Sequence, residues 1–143
     1  MRVLSSEIEI DAPPERVWRF LTDFAAYPEW NPFIQRIAGP LEQGARLEVR
    51  IAPPDGRAMT FKPEVQKVEE GRELRWLGRF LLPGLFDGEH SLRIEALPDG
   101  RSRFVQSERF SGLLVGLFGG TLDKTERGFG QMNEALKRRA EAG

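Results

Sequence analysis

The sequence predicts an α+β fold: a curved antiparallel sheet of about six to seven strands wrapped around a long C-terminal helix, with two short helices after the first strand. Three observations carry this. Apolar side chains in the closing stretch recur at Phe118, Leu122, Phe129, Met132 and Leu136, with Thr125 between, on one side of a helix. Glu126, Arg127, Lys137, Arg138 and Glu141 share the opposite side. Most of the chain before it alternates polar and apolar residues, and prolines and glycines cut that alternation into short runs.

Composition narrows the possibilities. A chain of 143 residues is large enough for one domain, read here as residues 1–143, with a core and room for a cavity. Charged residues make up 30% and apolar ones 40%, which is globular rather than disordered. A net charge of −1 argues against nucleic acid as a partner, since phosphate binding asks for a basic face. Without cysteine there are no disulfides and no thiolate chemistry. The opening residues are acidic where an export signal would be apolar, so a cytoplasmic location is expected. No transmembrane segment is expected either. The longest uncharged run, Phe110 to Leu122, is broken by four glycines and falls short of the roughly 20 residues a bilayer needs.

Taken in order, Ser6 to Asp11 alternates as a half-buried strand with Ile8 and Ile10 inward. Ala12-Pro13-Pro14 ends it and opens a short helix with Val17, Trp18, Phe20 and Leu21 on its apolar side, proline being tolerated in a first turn. Ala25 to Pro32 is a second short turn or helix. Strands follow at Phe33–Ile37 and Arg46–Ile51, then a Pro53-Pro54-Asp55-Gly56 turn. Met59 to Val68 reads as one strand with Phe61 and Val65 inward, and Pro63 marks an edge or bulge. Leu74 to Phe80 points Arg75 and Arg79 outward and Leu74, Trp76, Gly78 and Phe80 inward.

The last hairpin can be registered from its turn. Pro98-Asp99-Gly100 suits a three-residue loop, a type I turn closed by a left-handed glycine. Ile94 then faces Phe104, Leu92 faces Gln106, and His90 faces Glu108. Phe104, Gln106, Glu108 and Phe110 share the inner side, with Arg103, Ser107 and Arg109 in water.

Three stretches resemble the SRPBCC (START-like, polyketide cyclase/dehydratase) superfamily and its helix-grip fold: IEIDAPPERVWRFLTDFAAYPEWNPF, LFDGEHSLRIE, and SERFSGLL with the closing helix. The likeness spans essentially the whole chain. It implies an apolar pocket between sheet and long helix, open at one end, and leaves the function open among carriers, cyclases, hydroxylase domains and co-chaperones.

His90, Gln106 and Glu108 are the sharpest candidates, because polar groups on an apolar inner face cost a few kcal/mol unless paired. They read either as a polar anchor or acid/base pair at a pocket floor, or as a pair that satisfies itself and closes the cavity. Glu108 pairing with an arginine belongs to the second kind, while Glu108 standing in water at the rim would weaken both. Phe61, Trp76, Phe80, Leu92, Phe104, Phe110, Phe129 and Met132 read either as pocket walls or as plain core. Gly78, lacking a side chain, and Gly128 and Gly130 in the helix suggest a hollow, although the helical glycines equally suit close approach. The apolar loops Leu81–Phe86 and Gly112–Leu117 fall at one end of the sheet. They read as a lid, as a membrane or protein contact, or as a plug.

Other chemistries find no support. One histidine and no cysteine speak against zinc, and no metal is expected. Gly116 to Thr121 is not a phosphate loop, and neither a serine-nucleophile elbow nor a dinucleotide fingerprint is present, so no cofactor is expected. The leading expectation is binding of a hydrophobic small molecule, a lipid, polyketide-like or aromatic compound, without catalysis. The alternatives are a cofactor-independent cyclase/dehydratase using His90 and Glu108, and a co-chaperone-like interaction module.

Overall fold

The computed structural model describes residues 1–80 and 82–143; Leu81, at the start of the first apolar loop, lies outside the described residues. In chain order the elements are β1 (Arg2–Ile10), α1 (Pro14–Thr22), α2 (Tyr27–Trp30), β2 (Ile34–Ala38) and β3 (Glu48–Ile51). After them come β4 (Met59–Phe61), β5 (Glu64–Glu69), β6 (Glu73–Arg79), β7 (Asp87–Ala96), β8 (Ser102–Ser111) and α3 (Gly119–Ala142). The fold is α+β, with antiparallel strands gripping the long α3.

Strand order is β1-β8-β7-β6-β5 in one sheet and β2-β3-β4 in the other. The stretch read as one strand from Met59 to Val68 is two, because Pro63 has no N–H to donate and the chain changes sheets there. β4 pairs with β3 and β5 with β6. The seam between the sheets is narrow. Leu47 N donates to Pro63 O at 2.9 Å and Val65 N to Ala45 O at 2.8 Å, so the two sheets curve as one wall.

β7 and β8 pair in the register the turn dictates: Ile94 with Phe104, Leu92 with Gln106, His90 with Glu108. The turn itself differs from a type I turn plus glycine. Asp99 is left-handed (φ 66°) as well as Gly100 (φ 75°), a conformation aspartate tolerates better than most residues. β1 begins at Arg2 rather than Ser6, since its ladder with β8 runs on to Arg2 opposite Phe110.

α3 lies along β1 and is fastened at both ends. At its start Arg2 donates to Gly119 O and pairs with Asp123. Near its end Lys137 Nζ donates to Glu9 O at 2.9 Å, and Asp11 N donates to Glu141 Oε2 at 2.8 Å. Leu122, Phe129, Met132, Leu136 and Ala140 are its buried stripe. At the far end α1 covers the core with Val17, Trp18 and Leu21.

The glycines do not act alike. A Cβ on Gly128 would overlap the Phe33 ring, so this glycine permits close approach rather than a hollow. Asn31 holds Phe33 in place: its side-chain oxygen accepts from the backbone N–H of Phe33 (3.0 Å) and Ile34 (2.9 Å). The Phe33 ring then meets Phe129 edge-on at 5.6 Å. Gly78 does not leave a gap either, as Phe61 and Phe80 cover it. Gly130 faces open space.

Opposite effects follow for two neighbouring substitutions. Gly128→Ala should destabilise by about 1–3 kcal/mol through overpacking, outweighing its helix-propensity gain. Gly130→Ala should stabilise by up to about 1 kcal/mol. Urea unfolding of the two variants checks the sign of each.

Candidate ligand cavity and its polar floor

Between the sheets and the N-terminal half of α3 lies an open-ended cavity of about 850 Å³, within the usual range for small-molecule sites. On the far half of α3, Phe129, Met132 and Leu136 are buried without lining it, whereas Leu122 and Thr125 on the near half do line it. At the near half the wall residues face one another across open space. Aromatic side chains build one wall as a chain of ring contacts: Phe61 to Phe80 at 5.0 Å, Phe80 to Phe86 at 5.4 Å, and Phe86 to Phe110 at 5.6 Å and to Phe118 at 4.9 Å. Phe33 and Ile51, the loop Pro53–Met59, and Thr121, Leu122, Lys124 and Thr125 of α3 close the other sides.

Two polar side chains reach this apolar space from neighbouring strands, His90 and Glu108, both buried. They do not satisfy one another. His90 Nδ1 lies 3.8 Å from Glu108 Oε1, beyond hydrogen-bond reach, and Glu108 meets no arginine among the described residues. Instead His90 Nε2 pairs with Gln106 Oε1 at 2.9 Å. The direction of that bond is fixed from behind. Gln106 Nε2 donates to Asn133 Oδ1 (2.7 Å) and to the Phe129 carbonyl (3.4 Å), which can only accept. The amide oxygen therefore faces His90, whose Nε2 carries the proton, and Nδ1 keeps its lone pair on the Glu108 side. Asn133 in turn donates to Ser6 Oγ at 3.2 Å, so the network runs from β1 through α3 and β8 to β7.

Burial decides the charges. It lowers the His90 pKa to about 4, against a weaker upward pull from the Gln106 hydrogen bond, so the ring is neutral at neutral pH. Burial alone raises Glu108 to about 8, which keeps it a protonated acid at neutral pH. Gly88 makes room for that acid, since a Cβ there would come 2.5 Å from Glu108 Oε2. The floor is thus an uncharged donor beside an uncharged acceptor.

Of the predicted walls, Phe61, Phe80 and Phe110 line the cavity with His90 and Glu108. Trp76, Leu92, Phe104, Gln106, Phe129 and Met132 are buried but do not line it. Trp76 and Phe129 stand behind the His90 ring, at 5.0 and 4.9 Å between centroids, and Gln106 serves the floor by orienting His90. Not anticipated were Phe33, the Pro53–Met59 loop, and Thr121, Lys124 and Thr125. Only helix periodicity pointed toward Thr125.

The two apolar loops do dock on one another. Leu114 N donates to Leu85 O at 2.9 Å, and Phe86 and Val115 are buried there. Leu82, Leu113 and Leu117 remain 69%, 84% and 78% exposed, so the loops close this end only in part. No helix among the described residues is long and apolar enough to cross a membrane, and no cluster there is placed to hold a metal ion.

Curved sheets, a gripped helix and a cavity between them define a START-like, helix-grip protein. The chain belongs to the family described as polyketide cyclase/dehydrase and lipid transport, whose model matches residues 1–141. Among solved structures it is similar to the Zhui aromatase/cyclase from Streptomyces sp. R1128, with TM-score 0.78, 18% identity, and 98% of this chain and 93% of that one covered. A START superfamily protein from Mycobacterium smegmatis matches with TM-score 0.72, 21% identity, and 98% and 97% covered. A Thermus thermophilus protein, TTHA0849, matches with TM-score 0.74, 19% identity, and 99% and 98% covered. At these identities the likeness bears on the fold alone. No curated protein matches the sequence.

The floor makes stability depend on pH in a set direction. Above its unfolded value of 4.5 and up to about 8, folded Glu108 holds a proton the unfolded chain has released, so stability falls as pH rises. The depressed His90 works oppositely, but only between about 4 and 6.5. From pH 6.5 to 8.5 the protein should therefore lose on the order of 2 kcal/mol of unfolding free energy. Glu108→Gln should lose much less across the same interval in urea titrations; a parallel profile for both proteins would contradict the assignment.

Proposed function

We propose that the chain binds a hydrophobic small molecule, lipid-like or aromatic, inside the grip, with the ligand's hydrogen-bonding group against Glu108 and His90. One observation supports this most: a cavity of about 850 Å³ with aromatic walls holds two convergent polar groups at its floor. A neutral acid offers a proton to a carbonyl or ether oxygen, and the free His90 lone pair accepts from a hydroxyl. A ligand with both groups side by side, such as a phenol beside a carbonyl, meets both partners without bringing a charge into an apolar space.

A second reading is favoured by the fixed tautomer. A histidine held with its lone pair toward the cavity, next to a protonated carboxyl, is set for acid/base work: Glu108 protonating a substrate oxygen while Nδ1 removes a proton. The family description names both cyclisation/dehydration and lipid transport, and a similar structure is an aromatase/cyclase. The fold accommodates either.

Native mass spectrometry of freshly purified protein should show a retained small molecule or uptake of an added aromatic hydroxyketone. Thr125→Phe, which puts a ring into the cavity from α3, should lose that species while melting cooperatively. Retention by a folded Thr125→Phe protein would place the ligand elsewhere. For any substrate turned over, His90→Ala or Glu108→Gln should cost on the order of 10²–10⁴ in rate, whereas a carrier keeps most of its affinity in both variants.

A further inference from the structure

The mouth of the cavity carries charges that its floor lacks. Arg57, exposed in the loop between β3 and β4, and Lys124, half-buried on α3, both border the opening. They are neighbours. A Cβ on Gly56, the residue before Arg57, would stand 3.5 Å from Lys124 Cδ, so the lysine stem lies against this loop.

The carboxylates nearby are already engaged. Asp55 lines the same cavity but is offset by Arg127, with which it pairs at 3.5 Å, and Asp123 pairs with Arg2. Among the described residues neither Arg57 nor Lys124 takes part in an ion pair. α3 begins at the same opening, with no side-chain cap and no acidic residue in its first turn. The positive end of its macrodipole therefore adds to the two cations rather than being offset.

We propose that Arg57, Lys124 and the start of α3 form an anion subsite at the mouth, which seats the negatively charged head of an otherwise apolar ligand. The inference rests on the cavity-binding reading and fixes the ligand's orientation within it. At the floor a carboxylate or phosphate would meet only neutral groups, leaving its charge uncompensated among aromatic walls. At the mouth it meets two cations and solvent. The apolar body then points inward, and any neutral polar group reaches His90 and Glu108. Because the two cations are near the surface, the preference should be modest, about ten-fold, and should shrink as salt rises.

Calorimetric titrations with decanol, decanoate and decyl phosphate, each below its critical micelle concentration, test the subsite. The wild-type protein should bind both anions about ten-fold more tightly than the alcohol in low salt. Arg57→Gln/Lys124→Gln should bind all three alike, the two anions losing their roughly ten-fold advantage over decanol while the melting temperature is preserved. The tighter of the two anions identifies carboxylate or phosphate as the head. Equal affinity for all three in the wild type, or a preference that survives the double substitution, would overturn the subsite while leaving cavity binding standing. Failure of every chain to bind would overturn both readings together.

Discussion

The pairing of β7 with β8 is the constraint on which the rest depends. It puts His90 opposite Glu108 and Leu92 opposite Gln106, with the arginines of both strands on the outer face. A slip of one residue would invert every side chain on one strand, sending arginine inward and phenylalanine outward. Phe104 and Phe110 could not then face α3, and the helix would lose the surface that covers its apolar stripe. The same register places Gln106 where it reaches both His90 and Asn133, so one strand alignment sets core, cavity and floor together.

The polar network resolves an old tension of buried polar groups. Unpaired, each would cost a few kcal/mol; here Gln106 and Asn133 engage both ends of their amides with sheet and helix. Only at the cavity surface does the network stop, with the His90 lone pair and the Glu108 acid left facing open space. That asymmetry separates the packed half of the grip from the hollow half. It also makes the site neutral where a ligand would be dry, and cationic where it would meet water.

Much of this was legible in the residues. Helix periodicity from Leu122 to Leu136, strand alternation, and the Pro98-Asp99-Gly100 turn led to the right architecture and to the right pairing of β7 with β8. Pro63 signalled a break, but alternation across it concealed that the chain changes sheets. The walls were harder. Inward-facing positions on a strand can be read from period, yet how far along the strand the core ends and the cavity begins is set by what α1 covers, which no local pattern encodes. Hence Leu92 and Phe104, correctly inward, are core. The mouth was missed because Arg57 and Lys124 are distant in sequence and ordinary in type; only the crossing of a loop over α3 brings them together. Gly128 could be read either as a hollow or as close approach for the same reason, since Phe33, which answers it from just before β2, is distant in sequence.

Both the floor's chemistry and its pH dependence require Glu108 to be an uncharged donor in an apolar cavity at neutral pH. Carbon-13 NMR of protein labelled at glutamate side-chain carboxyls tests it most directly, with Glu108→Gln assigning the resonance. One carboxyl should show the chemical shift of a protonated acid at pH 7 and titrate near 8. A Glu108 carboxyl already ionised at pH 7 and titrating near 4.5 would contradict it.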